Sequence, residues 1–287
     1  MSVPAFTDIA KASNDLLNKD FYHLTAAALE VKSNTPNNVA FKVTGKSTHD
    51  NATSGLPGCA QLLIAYAGGT GLTLTQTWNT LNALDTKIEI NDTIAKGLKA
   101  EILGSFAPTT QKKGAKVNLH FKQPNFHGRA FFDLLKGPTA TVDAVIGQDG
   151  FLAGATADYD VQKAAITSYS AAVGYTAPTY SAAITAADNL SVFSASYYHK
   201  VNTQVEAGAK ATWDSKNTNS VGLEVASKYR LDPLSFAKVK INDRGVAAVA
   251  YNVVLRPGAT LGLGASFDTQ KLDQATHKIG TSFTFES

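Results

Sequence analysis

From about residue 20 onward the chain alternates, and that alternation limits its folding more than any other feature. Val205, Ala207, Ala209, Ala211 and Trp213 interleave with Glu206, Gly208, Lys210 and Thr212. Val221, Leu223, Val225 and Tyr229 stand between Gly222, Glu224, Lys228 and Arg230. The same order holds for Val117, Leu119 and Phe121 against Lys116, Asn118, His120 and Lys122, and for Leu261, Leu263, Ala265 and Phe267 against Gly262, Gly264, Ser266 and Asp268. Successive side chains of a strand point to opposite faces, so each run has one apolar and one polar face. The runs recur about every 12 to 15 residues between turn formers such as Arg256, Pro257 and Gly258, which predicts roughly 18 to 20 strands. Many reach about ten residues, the length a tilted strand needs to cross a bilayer.

Two all-β architectures fit this pattern. A soluble sandwich would bury the apolar faces as its core. A transmembrane barrel would turn them to lipid and the polar faces to a wet lumen. Sandwich cores need bulky interdigitating residues, whereas these apolar faces are rich in alanine. Tyr229, Trp213, Phe267, Phe283 and Phe285 sit near run ends, where an interfacial girdle belongs. The barrel is the better fit.

No stretch has the run of about 18 apolar residues that a spanning helix needs. Cys59 to Ala67 comes closest, interrupted by Gln61, and is about half that length. It lies in a longer anomaly, because residues 51–84 contain no Asp, Glu, Lys or Arg although these make up 17% of the chain. The N-terminus is the other exception to the alternation. Val3, Phe6, Ile9, Ala10, Leu16 and Leu17 recur near helical spacing, with Asp8, Lys11, Asp15 and Lys19 between them. This predicts a short amphipathic helix over residues 1–20, capped by Thr7 or Asp8, with the first strand beginning at Asp20-Phe21-Tyr22-His23 and the barrel running from 21 to 287. Such a helix could pack on a sheet surface or dock inside the lumen with its charges toward water.

Other chemistries are poorly supported. The net charge of +3 is too mild to argue for nucleic acid. One cysteine gives neither a disulfide framework nor a metal cluster. Gly68-Gly69-Thr70-Gly71 lacks the lysine of a phosphate loop and reads as a turn. We expect no catalytic residues, no metal and no cofactor.

In this order, VPAFTDIAKASNDLLNKDF, GLTLTQTWNT, Lys96-Gly97-Leu98-Lys99, NLHFKQPNFHGRAFFDLLKGP and KLDQATHKIGTSFTFES closely resemble the voltage-dependent anion channels, the mitochondrial porins, and their fungal branch in particular. Nineteen strands is that family's number and is taken from the resemblance. The resemblance implies an all-β transmembrane barrel with the helix in the lumen. It also implies a voltage-gated, weakly anion-selective diffusion channel of the mitochondrial outer membrane for ions and metabolites such as ATP and ADP. The implied partners are the lipid bilayer, those permeants, the outer-membrane barrel assembly machinery and further copies of the chain in a homo-oligomer. A protein-import pore of the same superfamily and a soluble β-sheet binding protein are the alternatives.

The resemblance also assigns residues. Asp15, Lys19 and Lys46 look like selectivity and gating charges, and Lys96, Gly97, Leu98 and Lys99 like a nucleotide-contact motif. Independently of the resemblance, the polar parity predicts Lys116, Lys122 and Arg129 as further pore-lining cations, alongside Lys32, Lys42, Lys46, Lys99, Lys210 and Lys228. Lys278, Gly280, Phe283 and Phe285 match the membrane-insertion signal of the last strand. Animal relatives carry a glutamate on the lipid face where this chain has Gln76, so properties tied to that carboxyl do not transfer. Across 56–70 the resemblance lapses, and we read that segment as locally altered, as by a shifted frame or a mistaken exon edge, with genuine divergence into a two-sided apolar strand as the alternative.

Overall fold

The computed structural model describes residues 3–47, 59–68, 71–80, 82–93, 95–135, 137–216, 221–271 and 277–286. Leu56, Pro57, Gly58, Gly69 and Thr70 of the anomalous segment therefore lie outside the described residues, as does Met1 of the N-terminal segment.

The alternating runs form one 19-stranded sheet. Its first strands are β1 (Ala27–Asn34), β2 (Val39–Ser47), β3 (Cys59–Ala67), β4 (Leu72–Asn79), β5 (Leu84–Asn91), β6 (Leu98–Ala107), β7 (Lys112–Lys122), β8 (Phe126–Asp133) and β9 (Thr139–Gln148). The wall continues through β10 (Phe151–Asp160), β11 (Ala165–Thr176), β12 (Tyr180–Ala187), β13 (Val192–Lys200) and β14 (Val205–Asp214). It ends with β15 (Val221–Asp232), β16 (Ser235–Asn242), β17 (Val246–Arg256), β18 (Ala259–Asp268) and β19 (Lys278–Glu286).

Each strand pairs antiparallel with its sequence neighbours, and β1 pairs with β19 to close the ring. The closing pair is parallel, matching Leu29 with Phe283 and Val31 with Phe285. An odd strand count forces this, because alternating directions bring the first and last strands round pointing the same way. Closure leaves no open edge, the condition for a sheet surrounded by lipid.

The register sorts the two faces as the alternation requires. Ile146, Val173, Ile184, Trp213 and Tyr229 are exposed on the outside, with the apolar residues expected in the girdle. Gln76 shares that outer parity, between Ile64 on β3 and Thr86 on β5. No helix among the described residues is long and apolar enough to cross a membrane.

The segment 59–67 holds a full strand's place. β3 pairs in unbroken register with β2 and β4, putting Leu62, Ile64 and Tyr66 outside and Gln61, Leu63 and Ala65 inside. An apolar inner face is tolerated here because a wide lumen does not require every wall residue to be charged. The result is a neutral stripe, since β4 adds only Thr73, Thr75, Thr77 and Asn79 on that side.

The N-terminal segment departs from expectation in two details. The α-helix, α1, spans Lys11–Asn18, after a 3-10 turn at Phe6–Asp8. Ala10 occupies the N-cap position without a side-chain bond, so neither Thr7 nor Asp8 caps the helix. Thr7 instead accepts from Arg129 Nη2 at 3.3 Å, and Asp8 faces Lys11 at 3.6 Å. Nor does a strand begin at Asp20. Asp20 takes a left-handed φ of 63°, and Tyr22–Leu24 form another 3-10 turn before β1 starts at Ala27. Phe21 explains the delay: it is buried on Ala248 and Ala250 of β17, a contact that an immediate entry into the wall would forfeit.

Candidate functional site

The inner face of the barrel is the functional surface, and its shape follows from side-chain size. Along β9 to β19 the wall carries alanine or glycine at many of the positions that the N-terminal segment passes. Val3 and Ile9 are buried with Val145, Leu152, Ala172 and Ala183. Leu16 and Leu17 close on Ala226, with Tyr198 beside them. A Cβ on Gly174 would stand 2.9 Å from Ile9 Cγ2, and one on Gly208 would stand 2.9 Å from Leu16 Cδ2. These glycines let the helix lie close to the sheet, so its apolar face is dry while Lys11 and Lys19 face the water. The helix is thus docked in the lumen.

Tyr22 fixes the far end of the segment. Its hydroxyl accepts from Asn252 Nδ2 at 2.6 Å. Burial pushes its phenol up, and Asp20 adds to this, partly offset by the Asn252 amide. The ring fills the space beside Gly262, and a Cβ on Gly264 would stand 2.7 Å from the Tyr22 nitrogen.

Much of the remaining wall charge is neutralised locally. Glu30 holds Lys32 at 3.1 Å and Lys42 at 2.9 Å. On β5 and β6, Lys99 bridges Glu89 at 3.1 Å and Glu101 at 2.8 Å, while Lys87 contacts the same two carboxylates. Asn118 donates to Glu101 at 3.2 Å from β7. Arg129 grips the buried Asp143 through Nε and Nη2, and its guanidinium lies 5.2 Å from the Phe131 ring centre. Lys116 pairs more loosely with Asp133 at 3.5 Å.

Lys46 and Lys122 are exposed on the lumen parity and make no ion pair among the described residues. Lys19 at the end of α1 is also exposed, and Asp15 lies one helical turn before it. Lys228 lies over the Phe236 ring at 4.1 Å, and Lys210 donates to Asn14 of the helix at 3.4 Å.

The four residues expected to contact nucleotide, Lys96 to Lys99, do not share a surface. Lys96 is exposed in the β5–β6 turn, Leu98 has the outer parity, and Lys99 is inside within its carboxylate network. Gly97 has a structural duty of its own at φ +84°, donating to Asp92 Oδ1 at 2.7 Å. In the last strand, Phe283 and Phe285 face outward while Lys278 and Gly280 face in. Gly280 also clears the path of the N-terminal segment, because a Cβ there would run into the Thr25 and Tyr22 carbonyls.

The sequence reading missed Lys87, Glu89, Asp143 and Lys238 as lumenal groups. Parity could have found each of them, as Lys238 and Lys240 alternate with Val239 and Ile241. Lys87 and Glu89 are neighbours on one face of β5, but the bonds of Glu89 to Lys99, of Asp143 to Arg129 and of Lys238 to the N-terminal segment join elements apart in sequence and were not legible.

The barrel resembles solved bacterial porins in fold. A triple mutant of Rhodopseudomonas blastica porin superposes with a TM-score of 0.52 at 10% identity, covering 82% of this chain and 93% of that one. The sequence comparison is more decisive. Residues 2–280 match the family described as eukaryotic porin.

The chain belongs to the eukaryotic porin family.

This porin is 75% identical to the mitochondrial outer membrane protein porin of Neurospora crassa over 292 aligned positions, covering all of both chains. It is 50% identical to the protein of the same name in Candida albicans, over 99% of each. It is also 39% identical, over the whole of both chains, to non-selective voltage-gated ion channel 1 of Saccharomyces cerevisiae. These relationships place the porin in the mitochondrial outer membrane, as a pore rather than an enzyme, and set aside the soluble reading.

Proposed function

We propose that this porin is a weakly anion-selective diffusion path for small anions, ATP and ADP among them, within the voltage-gated channel activity of the mitochondrial outer membrane that its family performs. A 19-stranded ring encloses a water-filled lumen, because width grows with strand number. Diffusion needs no covalent step. Selectivity arises from fixed charge along the path, screened by salt over about 8 Å at physiological ionic strength.

The observation that carries the anion preference is the contrast in pairing. Most wall carboxylates are held by lysine or arginine, whereas Lys46, Lys122 and Lys19 stand in the lumen without such a partner among the described residues. The net charge of +3 has the same sign. Lys96 lies on the rim and Lys99 inside, which suits successive contacts with an entering polyanion better than one closed nucleotide pocket. Asp15 moderates the field of Lys19 at the helix end. Insertion through the assembly machinery by way of Lys278, Gly280, Phe283 and Phe285, and assembly with further copies, belong to the same reading.

The test is a planar bilayer with a salt gradient. Lys19→Glu should move the reversal potential toward cation preference, and Lys46→Glu should do the same. If neither variant shifts it, the assignment fails.

A further inference from the structure

α1 ends without a conventional stop. The last carbonyls of a helix have no partner within it, and chains commonly satisfy them with a left-handed glycine or with cations in the final turn. Here the left-handed residue is Asp20, and α1 carries no basic residue in its last turn. The missing cation comes from 223 residues away, where Lys238 Nζ on β16 donates at 3.2 Å to the Asp15 carbonyl, which also accepts from the Lys19 N–H at 3.0 Å. It also donates to the Lys19 carbonyl at 2.7 Å.

The rest of the environment belongs to the same device. Lys238 is only 2% exposed, its ammonium lies 3.7 Å from Asp20 Oδ2, and the Phe21 ring centre is 5.1 Å away. Lys228 stands opposite it in register, so like charges on adjacent strands favour turning one of them elsewhere. Lys228 turns to Phe236 and Lys238 turns to the helix. A buried ammonium deprived of its partners is costly, so the helix end and Lys238 either stay together or separate with rehydration of both.

We propose that Lys238 is the positioning residue of the lumenal segment: it caps the C-terminus of α1, holds the helix on the wall, and sets the voltage at which the channel leaves its open state. The last part rests on the voltage-gated reading above. The first two stand on geometry alone. A neutral side chain at 238 loosens the helix end without removing any charge from the exposed lumen surface.

The experiment uses the full chain in lipid vesicles, with Ser13→Cys as reporter in a Cys59→Ser background. Ser13 lies on the buried face of α1 at 2% exposure, and cysteine is nearly its size. Labelling by a water-soluble methanethiosulfonate at zero voltage should be at least tenfold faster with Lys238→Met and return toward the parent rate with Lys238→Arg. In planar bilayers Lys238→Met should close at lower voltage than the parent. If Lys238→Met does not insert, Lys238→Gln, which keeps a donor but loses the charge, is read by the same two measurements. An unchanged labelling rate overturns the proposal. A shifted closure voltage with unchanged labelling also overturns it, assigning the effect to charge alone. If the parent channel shows no voltage dependence, the functional reading fails while the labelling result still decides the role of Lys238.

Discussion

Arg129 Nη2 stands 2.8 Å from Asp143 Oδ2, and its Nε reaches the same carboxylate at 3.0 Å. Asp143 is 4% exposed and Arg129 is also largely covered, so the pair is shielded from the lumen water. Removing one partner of a buried pair leaves a charge uncompensated, which costs about 3 to 5 kcal/mol. Asp143→Leu should therefore lower the urea midpoint for unfolding from lipid vesicles markedly. Arg129→Met with Asp143→Leu should recover most of the loss. Equal destabilisation by the single and double variants would show that the pair is not coupled.

Gly174 and Gly222 face the same lumen with different surroundings. A Cβ on Gly174 meets Ile9 Cγ2 at 2.9 Å, whereas the nearest atom to one on Gly222 is the Thr212 carbonyl oxygen at 3.7 Å. Forcing extra volume into a close contact costs about 1 to 3 kcal/mol. Gly174→Val should weaken helix docking and shorten open-state lifetimes in single-channel records. Gly222→Ala should leave them unchanged.

Lys42 and Glu30 are partners at 2.9 Å, and Lys32 contacts the same carboxylate. Exchanging Glu30→Lys and Lys42→Glu preserves the total charge and keeps a carboxylate near Lys32, which lies opposite position 42. The reversal potential should move much less than with Lys46→Glu alone, because local exchange alters the distant field little. A larger shift from the exchange would assign selectivity to local pairing.

Gln76 puts an amide on the lipid face, opposite Ile64 and Thr86. An amide without a bonding partner in an apolar medium costs about 1 to 3 kcal/mol. Gln76→Leu should raise the unfolding midpoint in vesicles, while Gln76→Glu should lower it at neutral pH. If both variants match the parent, the position is wet.

The wall was readable because a strand's period is two and a barrel separates lipid from water with the same period. Val221 through Arg230 show their two faces in sequence, and they keep them in β15. The extent of the lumenal segment was not readable. Phe21 and Tyr22 continue the aromatic content of a strand, yet their burial on Ala248, Ala250 and Gly262 comes from wall positions more than 220 residues later. The apolar run at 59–67 still takes a strand's place. It departs from alternation, yet it pairs with β2 and β4, because backbone pairing does not require a polar inner face.

By itself the sequence determined an alternating all-β wall, a short amphipathic N-terminus and a basic balance of +3, because these depend on local period and composition. Only the tertiary structure decided which charges act on the lumen. Glu89 and Lys99 cancel across adjacent strands, Asp143 disappears behind Arg129, and Lys238 turns from a wall cation into the cap of a helix far away in the chain. Electrostatic influence depends on distance and burial, and ring closure sets both.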